Sequence, residues 1–260
     1  MPRKPVLTGI ANGVATITLA RPEILNAIDV GLAASLFEAV RHADGEPAAR
    51  AIQLTGAGRA FCAGGDVSTF DGAQGHAEVA RRTIAAFHPA ILRLATSGKP
   101  SVAAVHGAVA GAGVSLMLAC DFAIAASGTR FSLAYSKIGA TIDGGASWFL
   151  PRLVGRRKAK ELALLSESLD AAAALDLGLV TQVVPAEDIE TEALNFAARL
   201  AAGPSVALAA IKSLIDADAG DLARHLDAER DAFIRIAGSE DFAEGLQALR
   251  DKRAPTFRGR

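Results

Sequence analysis

The chain of 260 residues has room for one large domain, or for a main domain with a small appendage. A formal net charge of -1 and a charged fraction of 21% argue against broad electrostatic capture of nucleic acid or of an anionic membrane. A hydrophobic fraction of 51% excludes a disordered chain. Cys62 and Cys120 are too few for a disulfide framework or a four-cysteine zinc site.

The N-terminus and one uncharged stretch bear on localisation. No apolar stretch follows the cations of Met1–Pro5, so we expect no signal peptide and a cytoplasmic protein. Residues 100–120 carry no charged side chain and are long enough to span a bilayer. His106 in the middle of this stretch, followed by three glycines, favours a strand, a glycine turn and a buried helix instead. We therefore expect no membrane partner.

The predicted elements alternate between strands and helices through the first 130 residues. A hairpin is expected across Asn12-Gly13, and Asp29 is expected to cap a helix that carries apolar residues at near-helical spacing. Alternating strands and helices indicate an α/β layer architecture. Strands are predicted over 6–10, 14–19, 51–55, 101–105 and 122–126, and further helices over 79–94 and 114–119.

After about residue 156 the pattern is mostly helical. Gly178, Gly203 and Gly220 stand where C-terminal caps are expected, and Pro204 follows one of them. The polar tail from Arg253 is expected to be extended. Helices are predicted over 156–165, 170–177, 187–202, 205–217 and 222–250.

Two glycine-rich segments, Ala60–Val67 and Gly107–Gly113, each come after a predicted strand. Glycine lets the backbone approach a ligand closely, and a helix N-terminus presents unpaired N–H groups to an anionic oxygen. The two segments are compatible with an oxyanion hole, although their spacing alone favours tight turns that pack a helix on a strand. Neither contains G-x-G-x-x-G, and the sequence around Ser115 lacks the second glycine of a nucleophile elbow.

Several motifs occur together along the chain. They are Phe61–Asp66, His106–Gly113 and the Arg21–Ala27 segment. Together they resemble the enoyl-CoA hydratase/isomerase (crotonase) superfamily, and the resemblance runs essentially end to end. The closing segment 226–255 looks most like ring-1,2-epoxyphenylacetyl-CoA isomerases, alongside the delta3-delta2-enoyl-CoA isomerases.

The resemblance implies a fold, a substrate class and a set of site residues. The fold would be an α/β crotonase-like spiral of ββα units, with residues 1–195 as the core and 196–260 as a helical C-terminal region for oligomerisation and for covering the active site. The substrate would be an acyl-CoA thioester, with no separate cofactor, no metal and no nucleic-acid partner, in a homotrimer or a hexamer built as a dimer of trimers. Main-chain N–H groups of Gly65 and Ala112 would hold the thioester oxygen as negative charge develops on it. Substrate or CoA contacts are implied for Arg21, Leu25, Ala27, Ala63, Gly65, Asp66, Val67, Gly111, Ala112 and Ser115.

The sequence departs from the hydratase pattern at both of its catalytic glutamates. The resemblance places the first at Ser115 and the second near Ala134-Tyr135, and neither a serine nor a tyrosine is a base near neutral pH. The carboxylate that remains in this region is Asp143, which matches the aspartate of the isomerase branch. An aspartate before Gly144 is also a common turn residue, so this alternative stays open.

These observations predict an isomerase of an unsaturated or ring-epoxide acyl-CoA, with Asp143 as the proton shuttle. One alternative is an enoyl-CoA hydratase or lyase that uses Asp143 and a water on Ser115. Another is a non-catalytic relative that binds acyl-CoA or RNA. The five histidines show no metal-ligand spacing and are expected at the surface or as satisfied core residues, and Cys62 is expected in the core.

Overall fold

Two β-sheets and the helices around them make up the protein. The computed structural model describes residues 4–71, 75–203, 205–216 and 222–256. The strands are β1 (Val6–Ala11), β2 (Val14–Leu19), β3 (Ala51–Gly56), β4 (Ser101–Val105), β5 (Ala108–Ala110), β6 (Phe122–Ala126), β7 (Arg130–Ser132), β8 (Leu169–Asp170) and β9 (Gln182–Val184). The helices are α1 (Val30–Gly45), α2 (His76–Thr96), α3 (Ala112–Leu118), α4 (Ala146–Leu165), α5 (Ala171–Asp176), α6 (Ile189–Ala202), α7 (Ser205–Ile215), α8 (Leu222–Ala237) and α9 (Glu240–Arg250).

The larger sheet has six strands in the order β1-β2-β3-β4-β6-β9. Strands β1 and β2 pair antiparallel, and every later pair in this sheet is parallel. The smaller sheet has the order β5-β7-β8. Strand β5 follows β4 after two residues, so the chain leaves the large sheet and enters the small one immediately before α3.

Both faces of the large sheet are covered. In β4, Ala103 and Val105 pack in the main core with α1, α2 and α3, whereas Val102 and Ala104 pack against α6 on the other face. Successive strand residues point to opposite faces, and a strand covered on both sides is therefore buried along its whole length. This explains why all five residues of β4 are buried.

The local signals at the N-terminus are confirmed. The hairpin turns at Asn12-Gly13, where both residues have positive φ. The Asp29 side chain accepts a hydrogen bond from the amide of Leu32 at 2.7 Å, as expected of a helix cap. The stretch 100–120 forms β4, β5 and α3, which confirms the strand, turn and helix and adds the short strand β5.

The C-terminal third differs from the prediction in two places. The prediction of a single helix over 222–250 is wrong, because α8 ends at Ala237 and α9 begins after Ser239. The Ser239 hydroxyl caps α9 by accepting a hydrogen bond from the amide of Phe242 at 3.1 Å. The helix predicted over 156–165 is the second half of α4, in which Gly155 has non-helical backbone angles. Pro204 and Gly220 lie outside the described residues. The division at 195/196 stays a prediction, and α6 spans that position.

Helices α8 and α9 pack on α2. Ala80 and Ile84 of α2 form a small apolar cluster with Ala237, Phe242 and Leu246. The middle of α8 also lies beside the middle of α2, because Glu229 and His88 come within 4.8 Å of each other in the site described below.

The hydropathy of the described helices bears on membrane insertion. None of these helices is by itself long and apolar enough to cross a membrane. The one helix pair that passes on length and composition, Ala186–Ala202 with Ser205–Ser213, is bent by 101°.

Candidate active site

The two glycine segments lie directly against each other. A Cβ atom on Gly64 would lie 3.0 Å from the carbonyl oxygen of Ala110, and one on Gly113 would lie 2.3 Å from that of Cys62. The amide of Ala110 donates to the carbonyl of Cys62 at 3.0 Å. A side chain has no room at Gly113 and would be crowded and strained at Gly64, where φ is +105°, so these glycines let the two segments approach to main-chain contact.

The two amides predicted to form the oxyanion hole lie one in each segment. The N–H groups of Gly65 and Ala112 donate a hydrogen bond to no acceptor within the described ranges. Gly65 is exposed, and Ala112 is half-buried as the first residue of α3, where amides have no partner inside their own helix. Both amides are therefore available to an acceptor on a ligand.

Arg21 ties the preceding loop to the first glycine segment. Its guanidinium lies 2.7 Å from the Asp29 carboxylate and 3.4 Å from that of Asp66, and it donates to the carbonyl of Ala27 at 3.2 Å. The residues predicted to contact CoA in the Arg21–Ala27 loop and in the first glycine segment are therefore neighbours. Val67 follows them at the start of a 3-10 helix. Main-chain amides complete the connection by donating from Ala63 to Leu25, from Ile28 to Gly64 and from Asp66 to Ile28.

Asn26 is buried beneath this loop. Its amide nitrogen donates to the carbonyl oxygens of Ala57, Ala60 and Phe61 at 2.8 to 3.1 Å. Its side-chain oxygen accepts from the amide of Arg21 at 2.8 Å. The side chain therefore satisfies four main-chain groups and fixes the loop against the strand end that leads to the first glycine segment.

Asp143 lies just before α4 and is 5% exposed. Its Oδ1 lies 2.8 Å from Nε2 of His88 in the middle of α2. Its Oδ2 has no hydrogen-bond partner among the described residues, and none of their fully buried side-chain oxygens is left unpaired. Oδ2 is therefore not fully buried and keeps an unused acceptor position.

Glu229 of α8 brings a second carboxylate to Asp143. One oxygen of each carboxylate and a ring nitrogen of His88 lie within 4.8 Å of one another. Oε2 of Glu229 accepts from the amide of Gly145 at 2.6 Å, and Oε1 accepts from the amide of Ser147 at 3.2 Å and from its hydroxyl. Burial and then the charge of Asp143 raise the pKa of Glu229 from 4.5 to about 7, although these hydrogen bonds oppose the rise. Near neutral pH, Glu229 thus exists in both protonation states.

We refer to His88, Asp143 and Glu229 as the acid cluster. Ser115 connects this acid cluster to the second glycine segment. Its hydroxyl donates to the carbonyl of Asp143 at 2.6 Å and lies 3.4 Å from the hydroxyl of Tyr135. Ser115 comes three residues after Ala112 in α3, about 4.5 Å of helical rise. Ser115 therefore ties the main chain of Asp143 to the helix that begins at Ala112. Burial and the nearby charge of Asp143 raise the pKa of Tyr135 above its usual value, so its hydroxyl stays protonated.

The donor types of His88, Asp143 and Glu229 are also those that bind divalent metals. Both oxygens of Glu229 and Oδ1 of Asp143 already accept hydrogen bonds from the protein. This pattern is that of a hydrogen-bonded acid–base network. That the protein uses no metal stays a prediction.

Comparison with known proteins places this geometry in a family. A family model described as enoyl-CoA hydratase/isomerase matches residues 9–260. The chain belongs to the enoyl-CoA hydratase/isomerase family. It is 41% identical over 255 residues to a protein of Rhodobacter capsulatus named probable enoyl-CoA hydratase, with 96% of each chain covered.

Two further similarities cover nearly the whole chain. It is 39% identical over 259 residues to 1,2-epoxyphenylacetyl-CoA isomerase of Escherichia coli, with 98% of each chain covered. A crystal structure of an enoyl-CoA hydratase from Mycobacterium avium subsp. paratuberculosis matches with a TM-score of 0.89 at 36% identity, covering 99% of this chain and 100% of that chain. The predicted crotonase-like α/β fold with a helical C-terminal region is confirmed.

For this member of the enoyl-CoA hydratase/isomerase family, the expectation that a single carboxylate remains near the site is wrong. Glu229 stands beside Asp143. His88 is buried and satisfied, as expected of a core histidine, but its partner is Asp143. Cys62 is buried as expected, and burial raises its pKa to about 12, which excludes a reactive thiolate.

A sequence signal for His88 and Glu229 exists in the helical periodicity. His88 stands at i+4 from Ile84 in α2, and Glu229 at i+3 from Leu226 in α8, and both apolar neighbours are buried. A titratable residue on the apolar face of a helix is therefore one that needs a buried partner. The sequence alone does not reveal which partner, because His88 and Asp143 are 55 residues apart.

Proposed function

We propose that the protein isomerises an unsaturated or ring-epoxide acyl-CoA thioester through an enolate. The observation that carries this proposal is Oδ2 of Asp143, the carboxylate oxygen of the acid cluster that accepts no hydrogen bond from a described residue. Shifting a double bond needs one base that takes a proton from one carbon and returns it to another. The acid cluster supplies one such oxygen on a rigidly held aspartate.

The amides of Gly65 and Ala112 would hold the thioester oxygen. They are unpaired within the described residues, and their loops are in main-chain contact. As Asp143 removes the α-proton, the electron pair of the C–H bond moves onto the thioester oxygen, where two fixed N–H donors stabilise the developing charge. Removing one donor of this kind typically costs about 2.7–4 kcal/mol of transition-state stabilisation.

The surroundings of Asp143 support a role as base. His88 fixes its Oδ1, and Ser115 holds its carbonyl, so the side chain has little freedom to rotate. A preorganised base avoids the cost of finding its geometry during the reaction. At the positions where the family resemblance places the hydratase glutamates, the chain has the hydroxyls of Ser115 and Tyr135, and neither is a base near neutral pH.

Hydration is the second candidate, and Glu229 is the observation that favours it. Two neighbouring carboxylates, one of them partly protonated near neutral pH, resemble an acid and base that together activate a water. Against this, both oxygens of Glu229 already accept hydrogen bonds from Gly145 and Ser147, which leaves fewer acceptor positions for a catalytic water than an unpaired carboxylate offers. The relatives' names include both a hydratase and an isomerase and do not decide between the two.

The proposal is tested by incubating the purified protein with 3-enoyl-CoA thioesters and following both conjugated-thioester absorbance and product mass. Isomerisation predicts a conjugated product with the mass of the substrate. A product heavier by one water supports hydration. No turnover of 3-enoyl or ring-epoxide thioesters, together with measurable acyl-CoA binding, would support a non-catalytic relative.

The assembly belongs to the same proposal. We expect a homotrimer or a hexamer in the cytoplasm, working without a separate cofactor. Exposed leucines on α4 support burial between subunits, since Leu164 and Leu165 are 71% and 59% exposed and Leu153 is 50% exposed. Light scattering on the purified protein measures the mass, and a monomer would contradict this part of the proposal.

A further inference from the structure

A chain of hydrogen-bonding groups leads from the acid cluster towards solvent. Oε1 of Glu229 is hydrogen-bonded to the hydroxyl of Ser147, which lies 2.6 Å from Nε2 of His225. The Glu229 side chain is 5% exposed and that of His225 is 33% exposed. The inner end of this chain thus lies beside Asp143 and the outer end reaches water.

We propose that Glu229, Ser147 and His225 form a proton relay that exchanges the proton held by Asp143 with solvent. This inference rests on the proposed isomerase function, which by itself requires only Asp143. A relay adds one consequence to the isomerase proposal: the proton delivered to the product need not be the one removed from the substrate.

The hydrogen bonds are consistent in both protonation states of Glu229. When Glu229 is protonated, it donates to Ser147, and Ser147 donates to Nε2 of a neutral His225. When Glu229 is ionised, Ser147 donates to it, and a His225 tautomer with a proton on Nε2 donates to Ser147. A hydroxyl donates one hydrogen and accepts others, so the chain reverses without breaking.

The charges around the relay favour a neutral His225. Burial and then the cation of Arg152 lower the pKa of His225. Arg152 itself is held over the ring of Trp148 at 3.5 Å, and that ring lies 5.3 Å from the His225 ring. The other titratable groups at the inner end are His88, Asp143 and Tyr135. A neutral imidazole both accepts and donates a proton, as a relay requires.

The steps balance in protons and need no other reactant. Asp143 takes the α-proton while the C–H electron pair becomes part of the enolate. The proton passes to ionised Glu229 across at most 4.8 Å, directly or through one water. Glu229 passes a proton to Ser147 while Ser147 passes its own to Nε2 of His225, and Nδ1 releases one to solvent. The reverse sequence returns a solvent proton to Asp143.

The test is isomerisation of a 3-enoyl-CoA in D₂O, with deuterium measured by mass spectrometry at the carbon that receives the proton. The relay predicts that most wild-type product molecules carry a solvent deuteron at that carbon. Ser147→Ala removes the central hydroxyl, and His225→Phe removes the outer imidazole but keeps an aromatic ring beside Trp148. Both variants are expected to incorporate several-fold less deuterium per turnover, with a much smaller change in kcat.

Ser97→Ala is the matched control. It also removes a hydrogen bond from serine to a carboxylate, here from Ser97 to Asp44 at 2.5 Å, at the far end of α2. This variant is expected to lose stability and to keep wild-type deuterium incorporation. If Ser147→Ala does not fold, deuterium incorporation by His225→Phe, a change at a partly exposed position, still tests the relay.

The outcomes separate the relay from the proposed function. Wild-type turnover with the substrate's own proton retained contradicts the relay alone, as does unchanged deuterium incorporation in both variants. No isomerisation by the wild-type protein contradicts the proposed function itself.

Discussion

The two halves of the candidate active site are built in different ways. The half that would hold the thioester oxygen consists of main-chain atoms from two glycine segments, packed so closely that a side chain has no room at Gly113 and would be crowded at Gly64. The half that would move the proton consists of side chains from α2, the segment before α4, and α8. The first half depends on backbone shape that a short motif specifies, and the second on contacts between residues far apart in the chain.

Replacing Gly64 with alanine is expected to break the main-chain half. A Cβ atom there would lie 3.0 Å from the carbonyl oxygen of Ala110 at a φ of +105°, so the segment that carries the Gly65 amide must shift. Loss of one donor predicts a fall in kcat of about 10²–10³-fold. Steady-state kinetics with a 3-enoyl-CoA measures it.

Gly128→Ala is the control for this variant. Gly128 has a φ of +86°, and a Cβ atom there would meet nothing within 4 Å. It should lower stability through backbone strain and leave kcat unchanged. Equal losses of kcat in the two variants would mean that strain, and not the oxyanion geometry, accounts for the effect.

The acid cluster makes stability depend on pH. Because the pKa of Glu229 is raised from 4.5 to about 7 in the folded protein, the folded state keeps a proton that the unfolded state releases. The free energy of unfolding should therefore fall as pH rises from 4.5 to 7, by roughly 3 kcal/mol from this group. Denaturant unfolding of the wild type and Glu229→Gln across this range measures the difference.

Glutamine cannot titrate, so the wild-type curve should fall relative to that of Glu229→Gln as pH rises. Glu161→Gln, at an exposed site paired with Lys158, is the matched control and should run parallel to the wild type. A constant offset between the wild type and Glu229→Gln over the whole range would contradict the raised pKa.

His88 tests how much the acid half depends on its internal hydrogen bond. His88→Leu removes the partner of Oδ1 of Asp143, and a hydrogen bond to a charged group is worth about 1.5–3 kcal/mol. We expect kcat to fall by about 10- to 100-fold, with KM nearly unchanged. His88→Gln keeps a donor and should recover part of the loss, whereas equal rates in both variants would mean that the hydrogen bond does not position Asp143.

Much of the fold could be predicted from local signals. The Asn12-Gly13 turn and the Asp29 cap are set by a few adjacent residues, and both are as predicted. The small sheet was missed because β5 and β7 have three residues each and β8 has two, too few for a period-2 pattern to show. The break between α8 and α9 did leave a signal, since Gly238 precedes Ser239, a residue type that caps helices.

The same contrast holds within the site. The glycine segments and Asp143 belong to recognisable motifs, and each could be singled out from its neighbours in the sequence. Glu229 could not be assigned in this way, because it bonds to Gly145 and Ser147 more than 80 residues away, across the packing of α8 on α2. Partners fixed only by tertiary packing leave no local pattern beyond a charged residue on an apolar helix face.

The central claim is that Asp143 moves the proton. The most direct measurement is kcat for 3-enoyl-CoA isomerisation by Asp143→Asn, together with the dissociation constant of the conjugated product. Asparagine keeps the shape of the side chain but is not a base, so kcat should fall by about 10²–10⁴-fold while product binding stays near the wild-type value. A variant that binds product normally and isomerises at the wild-type rate would contradict the account.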